Sequence, residues 1–275
     1  MRMHLRNMLL CCLLALAGIA GIADATAAAR PAQRVLLIGN SLIYTQNVPG
    51  LLRALAASQT EGPLLETASF VAPGGTLAER WKDGAAAKAL REGQWDVVVL
   101  QERGGLLACM ASSEQRQQPE CRASQRAHKQ FAELAKSRGA RVLLFGTWGP
   151  DAAWQLNLDR GLAAIARNTG AETVELGEML REQDKRQPST PMFSDGVHAS
   201  LEGALLIAAR LYRSIAGRAP SAADLELDFV LLPANAAIKP ESPIEQQLQL
   251  ARSGEPVRIP GKSIAGLLVV ANAAH

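Results

Sequence analysis

Short apolar runs alternate along this chain with longer segments in which apolar residues recur every three or four positions. The first pattern is typical of buried strands and the second of amphipathic helices. Apolar runs predict strands at residues 35–38, 64–71, 95–100, 140–145 and 172–176. Helical spacing predicts helices at 48–57, 76–91, 123–138, 152–168 and 201–217. This alternation predicts an α/β fold, a three-layer α/β/α sandwich around a mainly parallel, five-stranded sheet.

The alternation ends at Arg218. Residues 219–275 contain a polar stretch with helical spacing at about 244–252 and an apolar run at 264–270. We expect one domain at 30–218, followed by a C-terminal appendage that packs on the domain or meets a partner. The pattern of the appendage indicates no particular role.

The N-terminal segment has the layout of a secretory signal. Arg2 and Arg6 precede an apolar run at about 8–23, and small residues follow the run. This layout predicts a signal peptide at 1–29 and a periplasmic or secreted protein without a membrane span after its removal. A retained N-terminal anchor is the alternative. A lipoprotein site at Cys11 or Cys12 is disfavoured because the bulky Leu10 precedes Cys11.

Composition and charge narrow the function classes. Hydrophobic residues make up 48% of the chain and aromatic residues only 4%, a combination that suits helices packed on a sheet. The formal net charge is +3, and removal of the predicted signal leaves it close to neutral. No block of lysine and arginine is present, so nucleic acid is not an expected partner.

Two cysteines remain after the predicted signal is removed. Cys109 and Cys121 lie in a polar segment, at about 106–122, that predicts a long loop. In an exported protein such a pair most simply forms one disulfide, worth roughly 2–4 kcal/mol in the loop-closure account. Neither cysteine has a second ligand at zinc-finger spacing, so no metal site is expected.

Candidate chemistry begins at the end of the first predicted strand. Gly39 closes the apolar run, and Asn40 and Ser41 follow it. Ligands of open α/β sheets bind at the carboxyl ends of the strands, so the Ser41 hydroxyl is well placed for chemistry. The alternative is that Ser41 only caps the helix that follows.

Further polar and glycine-rich positions fall at the same edge of the predicted sheet. Gly74 follows the second strand and Gln101 the third, while Asp195 and His198 precede the last predicted helix. The spacing of Asp195 and His198 lets the carboxylate orient an imidazole whose other nitrogen accepts a proton from a serine. A structural histidine beside a helix start is the alternative, and the ordered combination favours catalysis.

These motifs resemble those of the SGNH, or GDSL-like, hydrolase family. The segment 38–41, Ile-Gly-Asn-Ser, is similar to the family's nucleophile block, 73–77 to its second block and 195–198 to its last. The resemblance implies a flavodoxin-like hydrolase fold in which Ser41 is the nucleophile, His198 the general base and acid, and Asp195 the residue that orients it. It also implies an oxyanion hole made of the backbone N–H groups of Ser41 and Gly74 and of a side-chain amide.

The third block departs from the family pattern, which is usually Gly-x-Asn-Asp. This chain has Leu-Gln-Glu at 100–102, as does a branch of the family that also begins with Gly-Asn-Ser. The resemblance therefore assigns the oxyanion amide to Gln101, and a misplaced donor would cost roughly 10²- to 10³-fold in rate.

Other polar and aromatic residues near this edge have open assignments. Trp148 and Glu102 are candidates for the substrate pocket, although Trp148 is equally well explained as a core residue and Glu102 as the partner of Arg103 in a surface ion pair. His128, on a predicted helix without an acidic partner, is expected to be structural or solvent-facing.

The expected function is hydrolysis of small acyl esters, with acetyl groups on polysaccharide as the substrate hypothesis and no cofactor. A lipase or thioesterase for longer acyl chains is the alternative within the class. A non-catalytic envelope protein that binds carbohydrate or a partner is the alternative outside it.

Overall fold

The computed structural model describes residues 30–251 and 254–273. The predicted signal peptide at 1–29, with Cys11 and Cys12, lies outside these residues. The central sheet has five parallel strands in the order β2-β1-β3-β4-β5. The strands are β1 Ala32–Asn40, β2 Leu64–Ala72, β3 Val97–Gln101, β4 Arg141–Phe145 and β5 Glu172–Val174. The predicted α/β fold and five-stranded sheet are confirmed, with a fifth strand that ends two residues earlier than predicted.

Helices cover both faces of the sheet. Val35 and Leu37 of β1 join one apolar cluster, and Leu36 and Ile38 join the other, because successive strand residues point to opposite faces. The cluster on the first face includes side chains of α2 Val48–Ser58, α8 Gly177–Arg186, α9 Leu201–Ala216 and α10 Gly261–Asn272, and α10 packs on α9. The second face packs against α3 Leu77–Asp83, α4 Ala85–Glu92, α6 Pro119–Ser137 and α7 Ala152–Thr169. Burial on both faces explains why the strands are apolar without alternation.

Two segments between β2 and β4 differ from the prediction. The single helix expected at 76–91 is divided between α3 and α4, because Gly84 takes a left-handed conformation with φ +80°. The loop expected at 106–122 consists mainly of short helical turns that lead from α5 Gly104–Ala108 to α6, which begins four residues earlier than predicted. A disulfide between Cys109 and Cys121 closes this segment, as expected from the sequence.

The C-terminal segment packs on the domain. Phe229, Ile244 and Leu268 belong to the first apolar cluster, and β6 Leu225–Leu227 pairs antiparallel with β7 Val257–Ile259. The Glu245 carboxylate accepts hydrogen bonds of 2.8 Å from the backbone N–H and the hydroxyl of Ser69 on the edge strand β2.

Two expectations for this segment have different outcomes. The prediction of a helix at 244–252 is wrong, since the described residues form two short 3₁₀ turns, Ile244–Gln246 and Leu248–Leu250. The apolar run at 264–270 lies within α10. No helix in the described part of the chain combines the length and apolarity needed to cross a membrane.

Candidate active site

Ser41 is the first residue of the short helix α1 Ser41–Tyr44, directly after β1. It lies at the carboxyl edge of the sheet with 9% of its surface exposed. Asn40, not Ser41, caps α1, because the Asn40 side chain accepts a hydrogen bond of 3.1 Å from the Leu42 N–H. The Ser41 hydroxyl is therefore not used as a helix cap.

Asp195 and His198 lie in a tight loop between α8 and α9. Gly196 in this loop has φ +79°, a conformation that a side chain would disfavour. Asp195 Oδ1 accepts hydrogen bonds from the backbone N–H groups of Val197 and His198, at 2.9 and 2.7 Å. One carboxylate oxygen thus fixes the backbone of the loop, and the other remains available to the imidazole.

The loop brings His198 to Ser41, although the two residues are 157 positions apart in sequence. His198 Nε2 lies 2.9 Å from Ser41 Oγ, and His198 Nδ1 lies 2.7 Å from Asp195 Oδ2. Because an ionised carboxylate can only accept, His198 Nδ1 carries the proton and Nε2 is free to accept one from the Ser41 hydroxyl. This is the chain of contacts that activates a serine nucleophile.

Asp195 stays ionised under ordinary conditions. Hydrogen bonds from the His198 backbone N–H and imidazole, followed by that from the Val197 N–H, lower the pKa of Asp195 to about 2. The carboxylate therefore carries its charge from mildly acidic to alkaline pH, which is the state that holds the required tautomer of His198.

Trp148 supports this loop from the end of β4. Its indole N–H donates a hydrogen bond of 2.7 Å to the Val197 carbonyl, and its ring packs against those of Phe145 and Phe193. Trp148 is 8% exposed and belongs to the core. Of the two assignments considered from sequence, the structure favours the core residue, with one contact to the histidine loop.

The glycine-rich turn after β2 lies beside the nucleophile. Gly74 is exposed, with φ +60°, and a Cβ built at this position would meet no atom within 4 Å. The Gly75 carbonyl accepts a hydrogen bond of 2.9 Å from Asn40 Nδ2. Asn40 therefore joins the turn to the start of α1, a contact that the sequence analysis did not assign.

The structure corrects the assignment of Gln101. Its Oε1 accepts a hydrogen bond of 2.8 Å from the Asn40 N–H, and its Nε2 donates one of 2.7 Å to the Glu102 carbonyl. An N–H can only donate and a carbonyl can only accept, so this orientation of the amide is fixed. Gln101 is completely buried, and its side chain joins β1 to β3 beneath the nucleophile instead of facing a substrate.

Glu102 is likewise neither in a pocket nor in a surface ion pair. It is 1% exposed, and its carboxylate accepts hydrogen bonds from the hydroxyl of Ser124 at 2.7 Å, the N–H of Arg103 at 2.7 Å and the N–H of Leu77 at 3.4 Å. Burial raises the pKa of Glu102 to about 6. The side chain connects β3, α3 and α6 from inside the protein, which a one-dimensional pattern of charged residues does not reveal.

No group of three or more histidine, cysteine, aspartate or glutamate residues in the described part of the chain is arranged to hold a metal ion.

Fold and site together define an α/β protein with a serine–histidine–aspartate arrangement at the carboxyl edge of a parallel sheet. Among solved structures, the chain is similar to a protein from Slackia heliotrinireducens described as a candidate SGNH hydrolase. The two are 24% identical, with a TM-score of 0.52, and the match covers 68% of this chain and 100% of the other. A second similar structure is LAE5, an α/β hydrolase enzyme from the metagenome of Lake Arreo, with 13% identity, a TM-score of 0.50 and coverage of 68% and 96%.

These similarities show that the chain has the fold of the SGNH hydrolases, as the sequence resemblance implied. No protein-family model matches the chain, and no curated protein matches it in sequence.

Proposed function

We propose that the protein is an exported serine ester hydrolase that acts on small acyl esters, with acetyl groups on polysaccharide as the substrate class. One observation carries the proposal. Ser41, His198 and Asp195 meet at the carboxyl edge of the sheet with contacts of 2.9 and 2.7 Å, in the tautomer that lets the serine act as nucleophile.

The proposed reaction is acyl transfer in two steps. Ser41 Oγ attacks the ester carbonyl carbon while His198 Nε2 takes the hydroxyl proton. When the tetrahedral intermediate collapses, the bond to the alcohol breaks, and His198 returns the proton to the leaving oxygen. Water then attacks the acyl-enzyme with His198 as base, and the carboxylic acid leaves as Ser41 regains its proton.

The negative charge of the intermediate requires donors beside the Ser41 hydroxyl. We assign the backbone N–H groups of Ser41 and Gly74 to this role, because Gly74 is exposed at the same edge and a Cβ built on it would meet no atom within 4 Å. Gln101 supports these donors indirectly, since it holds the backbone of Asn40 next to Ser41.

The surface near the site favours short acyl groups. Among the large apolar side chains that are exposed in the described part of the chain, Val197, at 55%, is the one in the Asp195–His198 loop. A lipase needs an extended apolar surface for its acyl chain. The side chain of Asp195 is 50% exposed. This exposure indicates an open site, which suits an ester attached to a polymer.

Export is supported by two features. The signal-like sequence at 1–29 precedes the domain, and the bond between Cys109 and Cys121 is of a kind that persists in oxidising compartments.

The test is hydrolysis of nitrophenyl acetate, butyrate and octanoate by the mature protein and by the variants Ser41→Ala and His198→Ala. We expect turnover that is fastest for acetate and that falls to background in both variants, while the control Ser137→Ala, at an exposed serine, keeps full activity. A fluorophosphonate probe should label the native protein and Ser137→Ala, but neither Ser41→Ala nor His198→Ala, because labelling needs a serine that His198 has activated. If the native chain is inert and the probe labels no protein, the proposal fails, and a non-catalytic binding function becomes the better hypothesis.

A further inference from the structure

A cavity lies between α6, the end of α7 and the segment closed by the disulfide. Its volume is about 410 Å³, within the range of small-molecule sites. None of the residues of the proposed triad lines it. Its floor includes the buried apolar side chains of Met110 and Ile165.

The charged residues that line this cavity all carry positive charge. These are Arg116, Arg126 and Lys129, all three exposed, and no aspartate or glutamate lines the cavity. Arg116 Nη2 donates to the Met110 carbonyl at 2.9 Å, a contact within the disulfide-closed segment. Lys129 has an exposed partner in Glu133, at 3.7 Å. The described residues provide no hydrogen-bond or ion-pair partner for the Arg126 guanidinium.

His128 adds a neutral hydrogen-bond acceptor to the lining. Its Nδ1 donates to the Ser124 carbonyl at 2.8 Å, so Nε2 carries the lone pair. Only 2% of His128 is exposed, and within residues 30–251 and 254–273 nothing donates to Nε2. Burial lowers the pKa of His128 to about 4, which keeps the imidazole neutral near pH 7. Because His128 lines the cavity, its Nε2 offers an acceptor to a ligand that carries a donor.

We propose that this cavity binds a uronic-acid residue of an acidic polysaccharide. A carboxylate would pair with Arg126 and Lys129, a sugar hydroxyl would donate to His128 Nε2, and the C–H face of the ring would pack on Ile165. A simple inorganic anion satisfies only the cations, and a neutral sugar satisfies only the imidazole and the apolar floor. The combination of the three favours a hydroxylated carboxylate.

This binding does not depend on the chemistry of Ser41, so the two proposals can fail separately. The experiment titrates the Ser41→Ala protein with trigalacturonate by calorimetry, beside a neutral trisaccharide, acetate and inorganic phosphate. We expect saturable binding of trigalacturonate alone. We also expect about tenfold or greater weakening in Arg126→Gln, from the loss of a charge-assisted hydrogen bond. The matched control Arg122→Gln, which removes an exposed charge from the same helix outside the cavity, should bind like the parent.

A spectroscopic measurement tests the contact with His128 without a substitution at this buried residue. The chain has four histidines, so the imidazole signal of His128 can be followed by NMR and should shift on addition of trigalacturonate. The proposal is overturned if trigalacturonate does not saturate, if acetate or phosphate binds as tightly, if Arg126→Gln binds unchanged, or if the His128 signal does not move.

Discussion

Replacement of Gln101 by methionine tests whether the side-chain amide of Gln101 has a structural or a catalytic role. Methionine has nearly the same length and leaves both hydrogen-bond partners of the amide unpaired, namely the Asn40 N–H and the Glu102 carbonyl. Asn40 and Glu102 are 2% and 1% exposed, so water cannot replace the amide. Each unpaired buried backbone group costs about 1–3 kcal/mol, so we expect Gln101→Met to lower the free energy of unfolding by about 2–6 kcal/mol. For a chain of this size, that loss corresponds to a fall in Tm of roughly 5–20 °C.

The assay combines urea unfolding with esterase kinetics measured well below the unfolding transition. The control Gln130→Met makes the same change at an exposed position of α6 and should alter stability by no more than about 0.5 kcal/mol. If Gln101 acts structurally, the loss of stability exceeds this level and kcat of the folded variant falls less than about tenfold. An unchanged unfolding free energy with kcat reduced roughly 10²- to 10³-fold would instead show that Gln101 donates to the oxyanion. The stability measurement decides the matter even if no ester is turned over.

Three further substitutions probe the site and the core. Asp195→Asn should reduce kcat about 10³- to 10⁴-fold, because an amide donor facing His198 Nδ1 favours the wrong tautomer; a loss below tenfold in single-turnover assays would contradict the proposed triad. Trp148→Phe, which removes the 2.7 Å bond to the Val197 carbonyl together with part of a buried ring, should lower kcat several-fold at nearly constant KM, whereas unchanged kcat would mean that the loop needs no such support. Burial lowers the pKa of His128 to about 4, so the imidazole binds a proton less readily in the folded state than in the unfolded state. Stability should therefore fall by about 3 kcal/mol as pH drops from 6.5 to 4, and His128→Leu should remove that part of the pH dependence in chemical denaturation.

Much of the fold could be predicted because burial on both faces leaves a strong local signal. A parallel strand covered by helices on each side is continuously apolar, and Val35–Ile38 is such a run. The positions of Ser41, Asp195 and His198 followed from the same rule, since the residue after a parallel strand or before its flanking helix lies at the carboxyl edge of the sheet.

The features missed by the sequence analysis depend on contacts between distant elements. Glu102 has the local sequence of a surface charge, and only its contacts with Ser124 and Leu77 show that it is buried. The stretch at 244–252 has helical spacing, but the contact of Glu245 with Ser69 holds the turn Ile244–Gln246 against the edge strand. Such long-range contacts override local propensity.

The unusual Leu-Gln-Glu sequence at 100–102 is explained by its close packing on the Ile-Gly-Asn-Ser segment at 38–41. A Cβ built on Gly39 would lie 2.4 Å from Gln101 Oε1, so the amide occupies the space that a side chain at position 39 would need. The same oxygen holds the Asn40 N–H, while the Asn40 side chain holds both α1 and the Gly75 carbonyl. Gln101 therefore fixes Asn40, and Asn40 fixes the turn beside Gly74. In this arrangement the longer amide would contribute to the proposed oxyanion site by positioning its backbone donors, and the Gly-Asn-Ser and Leu-Gln-Glu sequences form one structural unit.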